Sequence, residues 1–172
     1  STTCEGFCSV GILATGIDWC TEIWTCGQRH TALIFIWDIS HDGLTFLGKA
    51  EGNGTERHGH VTALTVAPEY RRLGLARKFM ALLEQISEEN YRGFFVDLYV
   101  RCVNTAAIAM YEGFGYSVYR RVREYYGSLG LGLNPRDEED GFDMRKPLSR
   151  DPMRRSVRAN GREIVVGAQE VS

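Results

Sequence analysis

The 172-residue sequence predicts an α/β domain with a largely antiparallel β-sheet. Three β-rich runs separated by short turns come before the first segment with helical periodicity. A further strand, a short second helix and a terminal hairpin follow that segment. A hydrophobic fraction of 44% and a charged fraction of 24% are typical of a globular protein and exclude disorder along the whole chain. We expect one domain over residues 1–151 and a basic, flexible tail over residues 152–172.

The first three strands are predicted over residues 32–39, 44–50 and 60–66, because β-branched and aromatic residues dominate these runs. The His-Asp-Gly and Gly-Asn-Gly sequences between them are typical of turns. The segment before them, residues 13–24, is predicted as a short helix and turn, although its apolar residues follow no regular period.

Apolar residues at helical spacing predict the first clear helix, which begins after Arg71 and includes Leu75, Phe79, Leu82, Leu83 and Ile86. A strand over residues 94–100 comes next. Asn104 then provides an N-cap for a helix over residues 105–112, since its side chain can accept a bond from a free N–H at the helix start. The last strands are predicted over residues 117–126 and 141–145, with the acidic residues 137–140 in a solvated loop between them.

Charge and cysteine content narrow the classes of function. The net charge is −2 and the pI is about 6.1, which lacks the basic footprint of a nucleic-acid-binding domain. The five cysteines are an odd number, and with no apolar leader they predict reduced thiols in the cytoplasm and no membrane anchor. Their C-x3-C and C-x5-C spacings do not match a paired zinc motif, so we expect no metal.

A glycine-containing helix start follows the third strand, in the sequence Arg71-x-x-Gly74-x-Ala76. The first N–H groups of a helix have no partner within it, and the helix dipole is positive there. A pyrophosphate fits such a site, where Gly74 permits close approach and Arg71 and Arg72 add positive charge. Taken alone, the pattern is also typical of an ordinary helix start with solvated arginines.

Asn104 and Tyr111 are seven residues apart, which is two helical turns, and so are predicted to share a helix face. A phenol can protonate a departing thiolate, because the reference pKa values of tyrosine and a thiol are about 10 and 8.5. The alternative is a core aromatic residue whose hydroxyl is satisfied elsewhere. Cys102 is interpreted as a packing residue rather than a nucleophile.

Together these motifs resemble the GNAT acetyltransferase superfamily, in which R-x-x-G-x-A is the acetyl-CoA signature. Over about residues 48–151 the chain is similar to the catalytic subunits of N-terminal acetyltransferase B (NatB), notably in residues 60–76, 93–98, 115–119, 124–126 and 143–151. The resemblance implies a mixed, mostly antiparallel sheet splayed between two central parallel strands and flanked by helices. Residues 1–47 depart from the family, whose first helices dock an auxiliary subunit.

The resemblance also implies roles for individual residues. Backbone groups of the third strand would bind the pantetheine of acetyl-CoA, and the following helix start would bind its phosphates. The residues of these two segments are Leu64, Thr65, Val66, Arg71, Arg72, Leu73, Gly74, Leu75 and Ala76. Asn104 and Tyr111 would complete the cofactor site. Tyr111 would protonate the CoA thiolate. The peptide would be held by His60, Thr62, Asn104, Tyr125, Tyr126 and Glu22.

The implied activity is transfer of acetyl from acetyl-CoA to protein N-termini that begin with Met followed by Asp, Glu, Asn or Gln. The implied partners are a large helical-repeat auxiliary subunit and nascent chains at the ribosome. Two alternatives stay open, because the N-terminal segment departs from the family. One is a GNAT enzyme for another peptide or amine, and the other is a non-catalytic subunit that binds acetyl-CoA.

Overall fold

The structure is a computed structural model that describes the backbone of residues 5–12, 18–25, 33–39, 44–126 and 140–171. Side chains are described for residues 45–126 and 140–171. The chain forms two compact units, residues 1–94 and 95–172. Neither helix in the described part of the chain has the length and apolarity needed to cross a membrane.

The described residues of the first unit form five strands and one α-helix. Strand β1 (Glu5–Ile12) pairs antiparallel with β2 (Asp18–Thr25). Strands β3 (Leu33–Ile39), β4 (Leu44–Glu51) and β5 (His58–Val66) form an antiparallel meander in that order. Helix α1 (Leu75–Glu89) follows β5 and packs against β5 and β4. The three strands of the meander and α1 therefore confirm the prediction for this part of the chain.

Helix α1 contributes its apolar stripe to the core of the first unit. Phe79, Met80 and Leu83 are buried, and the ring of Phe79 stacks on Phe46 of β4 with centroids 5.7 Å apart. Gly48 of β4 lies under this helix, since a Cβ there would be 3.0 Å from Leu83 Cδ1. The helix is thus fixed on the strands, and residues 67–74, which include a short 3-10 helix over Pro68–Tyr70, connect the end of β5 to its amino end.

The predicted helix over residues 13–24 is wrong, because residues Asp18–Thr25 form strand β2. Six of these eight residues are β-branched, aromatic or cysteine, which favours a pleated strand over a helix. Glu22 lies opposite Cys8 in the β1–β2 register rather than in a loop. Its side chain lies outside the described residues, as do Cys4 and Cys26.

The second unit contains β6 (Phe95–Arg101), α2 (Thr105–Gly113), β7 (Ser117–Arg123), β8 (Gly141–Pro147) and β9 (Val165–Gly167). The strand order is β6-β8-β7-β9, with β8 antiparallel to both neighbours and β9 parallel to β7. Val96, Leu98, Val122 and Met144 are fully or almost fully buried in its core.

Residues 152–171 differ from the flexible tail that the composition predicted. They form a series of turns and then β9, which pairs with residues 121–123 of β7. The carboxylate of Asp151 starts this segment by accepting bonds from Arg155 N, Ser156 N and Ser156 Oγ at 2.6–2.9 Å. The arginines that suggested a solvated tail are thus attached to an ordered backbone. The assignment of residues 1–151 to a single domain stays a prediction.

Candidate active site

The amino end of α1 is open. Gly74 occupies the N-cap position with φ +76°, a left-handed conformation that glycine adopts without strain. Its carbonyl accepts the first intrahelical bond from Lys78 N at 3.1 Å. The first turn carries no acidic residue and Gly74 has no capping side chain, so the first N–H groups and the positive end of the helix dipole are available to an anion.

Arg71 connects this helix start to the preceding strand. Its Nε donates to the carbonyl of Val66 at 2.9 Å, which uses one of the five N–H donors of the guanidinium. The next residue, Arg72, adopts φ +64°, and the loop from Arg71 to Gly74 is exposed. Leu73 is 62% exposed. The loop therefore presents backbone N–H groups, positive charge and one apolar side chain to solvent.

Strand β5 contains a bulge that the sequence did not reveal. Leu47 pairs with Ala63 and Gly48 with Val61, so Thr62 is the extra residue. Thr62 and Thr65 are exposed, whereas His60, Leu64 and Val66 are half-buried. The strand thus exposes Thr62 at the bulge itself and Thr65 three residues farther along. No residue type in this stretch signals a bulge.

Helix α2 begins as predicted, with Asn104 Oδ1 accepting from Ala107 N at 3.2 Å. Tyr111, near its end, is only 8% exposed and its ring contacts the edges of Phe114 and Tyr116. Asn104 is exposed, and its backbone is not helical. Asn104 is therefore accessible to solvent and Tyr111 is not, and their sharing of one helix face stays a prediction.

Burial raises the pKa of Tyr111 above its ordinary value. The phenol therefore keeps its proton throughout the neutral range. The hydroxyl therefore carries a proton that it can donate and cannot act as a general base near pH 7, while the raised pKa also makes it a weaker acid.

The tyrosine cluster of the second unit comprises Tyr125, Tyr126 and Tyr99. Strand β7 ends at Arg123, three residues before the predicted end, and Glu124 adopts φ +55°. This turn places the Tyr125 ring on Tyr99, with centroids 4.2 Å apart, and Tyr126 edge-on to Tyr125. Burial raises the pKa of Tyr126 to about 12, so it also stays protonated.

Sequence reasoning identified Tyr125 and Tyr126 but missed three residues that support them. Tyr99 stacks on Tyr125, and the Arg101 guanidinium lies 4.4 Å from the ring centroid of Tyr126. Gly141 lies against both rings of the pair, since a Cβ there would be 3.3 Å from each residue. The two-residue spacing of Tyr99 and Arg101 on β6 is a signal that they share one face of the strand.

Asp140 fixes the turn that carries the pair. It is buried, and its carboxylate accepts from Arg121 Nε at 2.7 Å and from Glu124 N at 2.8 Å. The interpretation of the acidic run as a solvated loop is therefore wrong for Asp140, because its charge is neutralised by Arg121 inside the fold. Residues 137–139 lie outside the described residues.

The predicted site residues divide between the two units. Residues His60, Thr62, Leu64 to Val66 and Arg71 to Ala76 lie together in the first unit, along β5 and the start of α1. Asn104, Tyr111, Tyr125 and Tyr126 lie in the second unit. Each unit thus carries a distinct chemistry: an anion-binding helix start in the first, and buried phenols in the second.

Comparison with known proteins gives a consistent result. The Acetyltransferase (GNAT) family matches residues 16–116. The NatB complex catalytic subunit naa20 of Schizosaccharomyces pombe is 54% identical over 127 residues, which are 73% of this chain and 67% of that protein. The NatB complex catalytic subunit NAA20 of Arabidopsis thaliana is 56% identical over 111 residues, or 64% and 59% of the two chains. The chain thus spans about two thirds or less of the length of these relatives.

A solved structure supports the same placement. The crystal structure of Chaetomium thermophilum Naa20 in complex with a bisubstrate analogue is 37% identical, with a TM-score of 0.69, and the match covers 81% of this chain and 78% of that one. The fold is therefore the mixed α/β fold of acetyltransferases, as the sequence predicted. On the family match and these similarities, the chain belongs to the GNAT acetyltransferase family.

Proposed function

We propose that this chain is the catalytic subunit of a NatB-type enzyme, which transfers acetyl from acetyl-CoA to the α-amine of protein N-termini. The expected acceptors begin with Met followed by Asp, Glu, Asn or Gln. The start of α1 is the observation that carries the acetyl-CoA part, because it combines a left-handed Gly74, no side-chain cap and the neighbouring Arg71. The 54% identity to a NatB catalytic subunit supports the choice of acceptor.

Most of the proposed cofactor contacts lie in the first unit, and Asn104 of the second unit adds to them. N–H groups of residues 71–76 would bind the phosphates of acetyl-CoA, apart from the N–H of Arg71, which donates to the Pro68 carbonyl. Backbone groups of Leu64, Thr65 and Val66 would pair with its pantetheine. Asn104 would contribute its remaining amide donors, since its side-chain oxygen already caps α2.

The reaction needs one bond made and one broken. The neutral α-amine, whose reference pKa is about 7.7–8.0, attacks the thioester carbonyl. As the C–S bond breaks, the Tyr111 hydroxyl donates its proton to the leaving CoA thiolate, and the proton released by the amine passes to solvent. Because burial raises the pKa of Tyr111, the hydroxyl is in its donor form when the step occurs.

Residues of β5 and of the tyrosine cluster are the proposed contacts for the acceptor peptide. Tyr125 and Tyr126 would hold the peptide backbone, while His60 and Thr62 would supply donors to the second side chain. Glu22 is the remaining candidate contact. We also propose that an auxiliary subunit binds the chain, that the acceptors are nascent chains at the ribosome, and that the location is cytoplasmic.

The test is acetyl transfer to peptides that begin Met-Asp, Ser or Ala, with the chain alone and with a NatB auxiliary subunit. Preference for Met-Asp supports the proposal, whereas preference for another peptide points to a GNAT enzyme of different specificity. Acetyl-CoA binding without transfer to any peptide, even in the complex, would contradict the catalytic role.

A further inference from the structure

A second β-bulge lies in β7, upstream of the tyrosine pair. Val118 pairs with Met144 and Arg120 with Asp143, so Tyr119 between them has no partner residue on β8. A bulge bends its strand and so changes the direction of the chain beyond it. The chain beyond this bulge is the end of β7 and then Tyr125 and Tyr126. A change in the geometry of the bulge should therefore move Tyr125 and Tyr126.

The C-terminal arm, residues 151–167, contacts β7 at this bulge. Gly161 is buried, and a Cβ on it would overlap the Val118 carbonyl and contact the Tyr119 backbone. Only glycine allows this approach of the two backbones. Beyond it, Arg121 N donates to the Ile164 carbonyl at 2.8 Å, and β9 pairs with residues 121–123. The arm thus follows β7 from the bulge to the turn that carries the tyrosine pair.

Arg158 of the arm binds the bulged residue itself. Its guanidinium lies 3.9 Å from the Tyr119 ring centroid, and one terminal nitrogen donates to the Tyr119 hydroxyl at 2.8 Å. The Arg145 guanidinium lies 3.7 Å from the same centroid. Arg145 is in turn held by the fully buried carboxylate of Asp143 at 3.0 Å. The Tyr119 ring is therefore fixed between the arm and the core of the second unit.

We infer that Arg158 is a positioning residue for peptide binding: it braces the bulge at Tyr119 and so sets the position of Tyr125 and Tyr126. The inference rests on the proposed function, in which this pair holds the peptide. It assigns the C-terminal arm a role in acceptor binding although the arm carries none of the proposed contact residues. It also predicts that loss of the Arg158 side chain changes the peptide KM without changing the KM for acetyl-CoA.

The test compares Arg158→Ala with Arg155→Ala, an exposed arginine on the same arm, in the full chain. Loss of one cation–π contact and one hydrogen bond predicts a rise of roughly 5- to 20-fold in the peptide KM. The kcat and the KM for acetyl-CoA should change less than about twofold, because uniform peptide binding is lost. Arg155→Ala should resemble the wild type. A peptide KM for Arg158→Ala within about twofold of the wild type would overturn the inference.

Two conservative variants keep the test decisive if Arg158→Ala does not fold. Tyr119→Phe keeps the stacked ring but loses the hydroxyl, so the peptide KM should rise only about two- to threefold. Arg158→Lys keeps the charge but loses the planar guanidinium, so its peptide KM should exceed that of Tyr119→Phe. A wild-type peptide KM in both variants would overturn the inference.

Hydrogen exchange separates this inference from the proposed function. In Arg158→Ala, backbone amides of residues 119–126 should exchange at least about fivefold faster than in the wild type, while amides of α1 should not change. If the wild type acetylates no peptide, the proposed function fails, and the exchange result still decides whether Arg158 braces β7. Unchanged exchange at residues 119–126 would refute the brace.

Discussion

Tyr125 stacks face to face on Tyr99 of β6, with ring centroids 4.2 Å apart and ring planes 11° apart. Tyr125 lies beyond the end of β7, where ladder hydrogen bonds no longer fix the backbone. The side chain that is proposed to hold a peptide is therefore oriented by a ring on a buried strand. Gly141 permits this arrangement because it leaves room for both Tyr125 and Tyr126.

This stack predicts that Tyr99→Leu weakens peptide binding while Tyr99→Phe does not. An aromatic pair contributes about 0.5–1.5 kcal/mol beyond burial, so the leucine variant should raise the peptide KM roughly 2- to 12-fold. Phenylalanine keeps the stacked ring and serves as the matched control. Steady-state kinetics on a Met-Asp peptide checks this, and equal KM values for the two variants would contradict it.

Gly74→Ala should weaken acetyl-CoA binding. A Cβ at Gly74 meets no atom within 4 Å, so the effect comes from the left-handed φ and from obstruction of the helix start. Gly54 is a matched control, because it also has a positive φ and open space around its Cα. Both alanine variants should lose about 1 kcal/mol of unfolding free energy, the cost of a left-handed non-glycine residue. In calorimetric titration only Gly74→Ala should raise the Kd for acetyl-CoA, and an equal Kd in both would contradict the assignment.

Tyr111→Phe should lower kcat by about 10²-fold or more, a typical loss for a general acid. The phenylalanine ring preserves the packing against Phe114 and Tyr116, so the melting temperature should change little. Tyr116→Phe is the control, since it removes the hydroxyl of a neighbouring buried tyrosine. Comparable kcat losses in the two variants would rule out a specific role for Tyr111.

The value of kcat/KM should rise with pH across the neutral range and should not fall there. The rate should increase as the substrate amine loses its proton near pH 8. Because burial raises the pKa of Tyr111 above its usual value near 10, its donor form persists through this interval. A profile of kcat/KM from pH 6 to 9.5 tests this. A descending limb in the wild type that is absent from Tyr111→Phe would mean that Tyr111 ionises earlier.

Glu51→Gln should destabilise the first unit in a pH-dependent way. The hydrogen bond with His58 lowers the pKa of Glu51 to about 2, against partial burial, and Lys49 Nζ lies 2.6 Å from its carboxylate. A lowered carboxyl pKa stabilises the fold above the unfolded value of 4.5, and this contribution is lost as the pH falls toward 2. Glu51 is 37% exposed, so solvent screening limits the effect to about 1 kcal/mol or less.

Urea unfolding at several pH values measures this contribution. The difference in unfolding free energy between wild type and Glu51→Gln should be largest near pH 7 and shrink below pH 4. Glu69→Gln, which removes an exposed carboxylate in the short 3-10 helix after β5, is the matched control for loss of one negative charge. A difference that grows with acidity would contradict the role assigned to Glu51.

Most elements of residues 33–147 could be predicted because their local signals agree with their packing. The stripe from Leu75 to Ile86 has helical period, and Phe79 and Leu83 of that stripe are buried in the core. The cap at Asn104 depends only on a side chain and a backbone N–H three residues away. Such relationships join residues that are close together in the sequence, so the sequence alone is enough to predict them.

The features that could not be predicted depend on contacts between distant residues. The bulges at Thr62 and Tyr119 arise from pairing with β4 and β8, and no local sequence marks them. Asp140 belongs to an acidic run, yet it is buried and forms an ion pair with the partly exposed Arg121. Strand β9 has three residues, too few for a periodic signal, and forms because β7 offers it an edge.

Strand β9 has a consequence for the behaviour of shortened forms of the chain. An unpaired strand edge is a template on which another molecule can add a strand, and natural proteins limit this by keeping edge strands short and charged. Here three residues cover the last part of β7, which itself carries Arg120, Arg121 and Arg123. Arg120 and Arg121 are already paired with Asp143 and Asp140. Removing residues 152–172 would therefore leave this edge with little charge repulsion, so truncation should favour edge-to-edge self-association of two copies.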